Sequence, residues 1–242
     1  MNRTLIVMPT YNEMSNIDMM IARVHAANPD CELLIVDDNS PDGTGKHVDS
    51  LLADNPWIHV VHRQGKGGLG AAYRAGFSWA LENNYDFIVE MDADGSHQPE
   101  QLPALLDAAR DADLVIGSRW VPGGTVVNWP LSRKILSRGG NWYVRFALGM
   151  RVKDATGGYR VFKADCIRAM KIIEGSAQGY VFQVDNTYKV FRGGLTIVEV
   201  PIEFVERVNG ASKMSRSIVL EAILEVTKWA IKYRILRQKT VQ

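Results

Sequence analysis

The chain has 242 residues, 46% hydrophobic and 23% charged, with a net charge of +1. That composition suits one globular domain with an appendage and gives no electrostatic ground for a nucleic-acid partner. Cys31 and Cys166 fall in apolar stretches and read as buried thiols of a reducing compartment. No run reaches the ~18 apolar residues of a membrane span and no signal peptide precedes the first strand, so the expected location is the cytosolic side.

The apolar run 4–9, closed by Pro9, is the first expected strand; Ser15 or Asn16 can cap a helix through residue 27. A second strand, 32–36, ends at Asp37-Asp38-Asn39-Ser40-Pro41-Asp42-Gly43-Thr44, and a helix through Leu51-Leu52 leads to a third strand at 57–61. Gly65-Lys66-Gly67-Gly68-Leu69-Gly70 opens a helix over 71–81. It lacks the Gly-Lys-Ser/Thr ending of a P-loop and reads as a turn and helix start, with phosphate contact as the alternative. The run 85–90 is a central strand ending at Asp92-Ala93-Asp94, and a helix over 102–109 leads to a fifth strand at 114–116. Strands alternating with helices of this length mean βαβ units: a mostly parallel sheet with helices on both faces.

That regularity stops near Arg119. A loop rich in Gly, Pro and Trp runs to Pro130 and a basic, aromatic helical segment to Leu148; residues 154–160 form a turn-rich loop. Helices over 164–173 and 181–191, a strand over 195–201, an irregular stretch over 204–213 and a long helix over 217–236 complete the chain. No acid occurs between Asp113 and Asp154, although about four would be expected at the average frequency. Arg119, Arg133, Lys134, Arg138, Arg145, Arg151 and Lys153 lie there, with Trp120, Trp129 and Trp142, three of the six tryptophans.

Ligand sites of open α/β sheets lie outside the carboxyl ends of the strands. Glu13, Asp37, Asp38, Asp92 and Asp94 would therefore line one crevice, as carboxylates without a strong counter-cation. They suit a base edge, ribose hydroxyls and a hard divalent cation. The dinucleotide fingerprint Gly-x-Gly-x-x-Gly is absent from the first loop, which argues against a NAD-type enzyme.

Together the motifs resemble the family 2 glycosyltransferases of the GT-A fold, and within them the dolichol- or polyprenol-phosphate mannose synthases. The resemblance is carried by Met8-Pro9-Thr10-Tyr11-Asn12-Glu13, by residues 36–44, and by Met91-Asp92-Ala93-Asp94. It continues through Gly117-Ser118-Arg119, Asn128-Trp129-Pro130-x-x-Arg133-x-x-x-Ser137 and Phe204-x-x-Arg207-x-x-Gly210-x-Ser212-Lys213. It implies an α/β, Rossmann-like GT-A domain over residues 1–213, with a nucleotide-sugar half (1–117) and an acceptor half (118–213). An interfacial helix and a C-terminal amphipathic helix (214–242) would complete it. Carried over position by position, it places Pro9, Tyr11, Glu13, Val36 and Asp38 at the nucleotide, with Asp37 adjacent and Ala93 between the metal-binding aspartates. Asp92 and Asp94 would hold Mg²⁺ or Mn²⁺; Ser96 stands at the next metal-contacting position. A hydroxyl is a weak ligand, which leaves a bridging water or Gln98 as alternatives. Arg119, Arg133 and Ser137 match acceptor-phosphate positions, and Arg207 and Lys213 a loop that closes over both phosphates. Gln183 and Asp185 fall where relatives carry a helical acid and are assigned orientation or structure; His97 is read as a loop histidine holding backbone.

The chemistry that follows is transfer of mannose from GDP-mannose to the phosphate of a polyprenyl or dolichyl phosphate. A phosphate monoester has a second pKa of about 6, so the nucleophile is ionised at neutral pH and needs cations to position it rather than a strong base. Direct displacement inverts the anomeric carbon and gives a β-linked product. Two other readings remain: a UDP-glucose-dependent polyprenyl-phosphate glucosyltransferase, and a catalytically silent nucleotide-sugar-binding subunit. Apolar residues around most of the last helix, and Trp142, Tyr143 and Phe146 among arginines, lead us to expect peripheral attachment to the cytoplasmic face of a membrane, with a polytopic partner protein as a further cover for the last helix.

Overall fold

The computed structural model describes residues 2–177, 179–206 and 216–235. The first strand, β1 (Thr4–Thr10), is followed by α1 (Ile17–Ala27), β2 (Glu32–Asp37), α2 (Thr44–Leu51), β3 (Ile58–His62), α3 (Leu69–Glu82) and β4 (Phe87–Glu90). Then come α4 (Leu102–Ala108), β5 (Leu114–Ser118), β6 (Thr125–Val127), α5 (Leu131–Leu148), β7 (Arg160–Lys163), α6 (Ala164–Ala169) and α7 (Gly179–Arg192). Strands β8 (Ile197–Pro201) and β9 (Glu203–Val205) precede α8 (Arg216–Trp229), which continues as a π-helical turn, Ala230–Ile235. Seven strands form one sheet in the order β3-β2-β1-β4-β7-β5-β8, and β6 pairs with β9 in a small parallel ladder.

The uninterrupted apolar run of β1 is what a strand buried on both faces requires. Leu5 and Val7 face a core with Tyr73, Phe77 and Phe162, while Ile6 and Met8 face a second core with Ile17, Met20 and Val24. All four β1 side chains are fully buried. Each such residue contributes about 1.5–3 kcal/mol of apolar burial. With helices on both faces, the expected α/β architecture is present.

Four elements differ from the sequence expectation. Residues 160–163 form β7, which runs antiparallel between β4 and β5. Its Val161 and Phe162 point into opposite cores, but a four-residue strand abutting a helix leaves too short an alternation to read. The expected helix over 164–173 breaks where Lys171 takes φ +48°, and a 3-10 turn, Ile172–Glu174, follows. The loop after Arg119 and the segment after Pro201 each contribute a strand, β6 and β9, found only when they meet each other.

The strand order brings the carboxyl ends of β2, β1 and β4 side by side. The chain leaves them through tight turns at Asn39 (φ +57°), Asn12 (φ +60°) and Gly95 (φ +75°), residues that tolerate the left-handed conformation. Helix α3 packs behind these ends so closely that a β-carbon on Gly76 would lie 2.3 Å from Val7 Cγ1. Gly76→Ala should therefore cost about 1–3 kcal/mol through overpacking, overriding the ~1 kcal/mol that alanine offers in an exposed helix. The urea unfolding midpoint checks this; an unchanged or raised midpoint contradicts the packing.

Candidate active site

Pro9, Tyr11, Glu13, Asp38, Asp92, Ala93 and Asp94 line one cavity of 470 Å³ at the ends of β1, β2 and β4, and Ser96, Arg119 and Arg133 line it too. The sequence-expected residues of three separate loops thus share one space.

Not every expected residue faces it. Val36 is fully buried in the core, and Asp37 is 2% exposed. Asp37 accepts hydrogen bonds from Thr10 Oγ1 (2.9 Å), Ser40 N (2.9 Å) and Ser40 Oγ (2.6 Å), tying the first loop to the second. Neither lines the cavity: Val36 packs in the core, and donors from the protein take up the Asp37 oxygens. Asp38 reaches the cavity, yet it does not stand without a counter-cation: Arg63 pairs with its Oδ1 and Gly67 N–H donates to Oδ2 at 3.2 Å. The glycine-rich segment thus encloses a protein carboxylate. It also brings Lys66, which lines the cavity with its Nζ 4.3 Å over the Tyr11 ring.

At the end of β4, Tyr73 O–H donates to Asp92 Oδ1 (3.1 Å) and Ser96 N–H to Asp94 Oδ1 (3.0 Å). His97 is a brace, as read from sequence: Asp92 N–H donates to its Nδ1 at 3.0 Å, and its ring stacks on Tyr159 at 5.0 Å. Burial lowers the His97 pKa against the pull of Asp92 and Asp94, so the ring is neutral with its proton on Nε2. Gln98 is not available as a metal ligand. Its Nε2 donates to Gly95 O (2.9 Å), its Oε1 accepts from Arg23 (2.7 Å), and it does not line the cavity. A divalent cation fits the remaining set: two carboxylates on one turn, and the buried Ser96 Oγ, which has no hydrogen-bond partner. An all-oxygen set of this kind favours Mg²⁺ or Mn²⁺, completed by water and phosphate oxygens.

Arg119 leaves the end of β5 and is only 7% exposed. Its Nε and NH2 donate to Asp154 Oδ2 (2.8 Å) and Oδ1 (2.7 Å), and NH2 reaches Thr156 Oγ1 at 3.0 Å. Burial works to raise the Asp154 pKa; the Arg119 guanidinium outweighs it and holds the carboxyl below its ordinary range. Arg119 is therefore a fixed, paired cation rather than a mobile one. Behind it, Arg160 is fully buried and donates to the carbonyls of Gly157 (2.7 Å), Ala155 (2.8 Å) and Gln183 (2.9 Å). Gln183 Nε2 donates to Glu90 Oε2 at 2.8 Å while Gln183 also lines the cavity, and Asp185 pairs with Lys189. Burial raises the Glu90 carboxyl to about 7, partly offset by Arg160 and the Gln183 bond.

A second cavity of 540 Å³ runs between α5, α7 and α8, and its walls are mostly carbon. Arg119, Arg133, Thr156 and Val181 line both cavities, so the two meet there. Ser137 lines the second alone. Arg133 pairs with Glu206 and lies 3.9 Å over the Trp129 ring; Arg138 lies 4.8 Å over Trp120. The acid-free interval thus finds its acid from later in the chain. Arg207 and Lys213 lie outside the described residues. Sequence reasoning gave no role to Arg63; Lys66 stood in the glycine-rich segment, Thr156 in the 154–160 loop and Trp129 in the Asn128-Trp129-Pro130 motif, with no individual role assigned to the three side chains.

Residues 5–170 match the family Glycosyl transferase family 2. The chain is 54% identical over 232 residues to the undecaprenyl-phosphate mannosyltransferase of Micrococcus luteus, covering 96% of each chain. It is 50% identical over 241 residues to the polyprenol monophosphomannose synthase of Mycolicibacterium smegmatis, covering 99% of this chain and 91% of the other. In fold it is similar to glucosyl-3-phosphoglycerate synthase of Mycobacterium tuberculosis in complex with Mn²⁺ and UDP-glucose, with TM-score 0.65 and 18% identity over 95% of this chain and 78% of that one. It is also similar to the mannosyltransferase PcManGT of Pyrobaculum calidifontis in complex with GDP-Man and Mn²⁺, with TM-score 0.61 and 16% identity over 99% and 66%. The architecture is the GT-A arrangement expected from the motifs. The chain belongs to glycosyl transferase family 2.

Proposed function

We propose that the chain transfers mannose from GDP-mannose to a polyprenyl or dolichyl phosphate with Mg²⁺ or Mn²⁺ and inversion at the anomeric carbon. One observation carries this reading: an acid-lined cavity and an apolar groove meet at two arginines, Arg119 and Arg133. A soluble sugar acceptor has no use for a 540 Å³ carbon-walled groove; a phosphate on a hydrocarbon chain matches both its apolar walls and its cationic end. The names of the two close relatives support the same acceptor and sugar.

In this reading Pro9, Tyr11, Glu13 and Asp38 receive the base and ribose, and the diphosphate lies toward Ala93 and the two aspartates. Asp92 and Asp94 would hold the cation, which when bound neutralises charge on the departing diphosphate. Arg119, Arg133 and Ser137 orient the lipid phosphate. An oxygen of that dianion forms the bond to the anomeric carbon as the bond to the β-phosphate breaks, and GDP leaves with the electron pair. Arginine's planar fork suits the positioning of a phosphate, and Asp154 keeps Arg119 from turning away. Arg207 and Lys213 are proposed to close over both phosphates. In the same reading residues 1–117 serve the donor and 118–213 the acceptor, with 214–242 as an appendage.

Among the described residues no helix is long and apolar enough to cross a membrane. Helix α5 instead exposes a row of large apolar side chains, with Trp142 66% and Phe146 69% exposed and stacked 5.8 Å apart. Arg138 and Arg145 share that helix, and α8 and the π-helical turn after it add exposed Leu224 and Ile231. Peripheral attachment of this face to the cytoplasmic leaflet would set the mouth of the groove at the lipid, with a polytopic partner as a further cover for α8.

Donor and metal are tested together by thermal shift. With Mn²⁺, GDP-mannose should raise the melting temperature more than UDP-glucose, and Asp94→Ala should remove the Mn²⁺-dependent part and abolish turnover. Retained turnover in that variant, or in excess chelator, would remove the metal. For the acceptor, Arg133→Ala and Ser137→Ala should weaken use of polyprenyl phosphate about 10-fold or more while GDP affinity stays within about twofold; equal loss of both would reassign the two phosphate positions. For the membrane, Trp142→Ser/Phe146→Ser should reduce co-sedimentation with anionic vesicles. Binding of the wild type should weaken with salt, since each arginine near an anionic surface contributes about 1 kcal/mol. Unchanged sedimentation of the double variant would sink the attachment through α5.

A further inference from the structure

Helix α5 buries three side chains, Asn141, Val144 and Leu148, and Asn141 is the polar one. Its amide is engaged on every side. Nδ2 lies 3.1 Å from the Ser137 carbonyl, 3.0 Å from Thr156 Oγ1 and 3.3 Å from Asp154 Oδ1; Oδ1 accepts the Thr156 N–H at 3.3 Å. Two amide hydrogens are thus shared among three acceptors. Asp154 and Thr156 are also the groups that hold Arg119 NH2. A polar path therefore runs from the groove helix to the guanidinium at the junction of the two cavities.

The turn that Asn141 braces contains Gly139 and Gly140. A β-carbon on either would meet nothing within 4 Å, so packing does not demand glycine there, and both line the groove. Two adjacent glycines leave a helix interior soft. The bond from Asn141 Nδ2 to the Ser137 carbonyl spans that soft turn and restrains it.

We infer that Asn141 is a positioning residue for transfer: it holds the 137–141 turn of α5 and the Arg119–Asp154–Thr156 unit as one piece. The groove that seats the acceptor and the cavity that seats the donor then keep a single relative geometry. This rests on the acceptor reading above. Reacting groups aligned to within a fraction of an ångström lose about 100-fold in rate when misplaced by 1 Å. The effect of Asn141 therefore falls on turnover, and donor affinity stays intact.

The test uses the full chain as wild type, Asn141→Ala and Asn141→Asp. GDP binding in the presence of Mn²⁺ is measured by calorimetry, kcat and acceptor KM with a polyprenyl phosphate of one chain length, and melting temperature in parallel. Asn141→Ala should lower kcat about 10- to 100-fold with GDP affinity within about twofold of wild type. Asn141→Asp keeps the shape but removes both N–H donors and sets a second carboxylate against Asp154; it should lower kcat further. Wild-type kcat in either variant overturns the inference. So does a fall in GDP affinity that matches the fall in kcat, or failure of both variants to fold, because either makes Asn141 a scaffold for the whole cavity. If Asn141→Ala alone fails to fold, the isosteric Asn141→Asp carries the comparison. A wild type that transfers nothing to polyprenyl phosphate overturns the acceptor reading, and this inference with it; an active wild type with unaffected variants overturns this inference alone.

Discussion

The Arg119 guanidinium sits almost wholly inside the protein, where the Asp154 carboxylate accepts two charge-assisted hydrogen bonds from it. Breaking such a pair leaves a charge buried and unpaired, at a cost of about 3–5 kcal/mol. The pair therefore compels two chain segments 35 residues apart in sequence, the end of β5 and the loop before β7, to stay together. Asp154 is itself fixed to β8 through its N–H on Glu199 Oε1. What this clamp produces is a cation of fixed position between two cavities of opposite character.

The two sides of that cation are built by different means. On the donor side, carboxylates are steadied from behind by hydroxyls, backbone N–H groups and one arginine, which leaves an acidic concave surface. On the acceptor side, arginines lie over the faces of Trp129 and Trp120, where the ring quadrupole attracts a cation within an apolar surround. The same helix that supplies Arg133 and Ser137 turns its outer face, with Trp142 and Phe146, to solvent. In the proposed reading, acceptor recognition and approach to a lipid surface would both fall to this one helix.

The alternation of strands and helices from Thr4 to Ser118 was legible because β1, β2 and β4 are continuous apolar runs that end in polar turns. Asp92, Asp94 and Glu13 were legible for the same reason, since the ends of adjacent parallel strands must share an edge, whereas Tyr11 came from the family resemblance. What escaped was decided by partners distant in sequence. The strand at Arg160–Lys163 exists because a gap between β4 and β5 accepts it, and nothing within four residues announces that. Arg133 looked like an unpaired cation within an acid-free interval, yet Glu206 lies against it. Val36 and Asp37 belong to a motif that touches the cavity, but the strand's alternation turns Val36 into the core, and Thr10 and Ser40 capture Asp37. Asn141 gave no signal, since its partners are 13 and 15 residues away across a turn that composition does not specify.

We propose that one paired arginine joins a nucleotide-sugar cavity to a lipid groove. A crystal structure of the full chain with GDP, Mn²⁺ and a short polyprenyl phosphate tests it most directly. The expected result is the lipid phosphate in hydrogen-bonding range of Arg119 and Arg133, with the hydrocarbon between α5, α7 and α8 and the diphosphate against Asp92 and Asp94. A lipid chain bound on any other face, with the groove between those helices left to solvent, would contradict it.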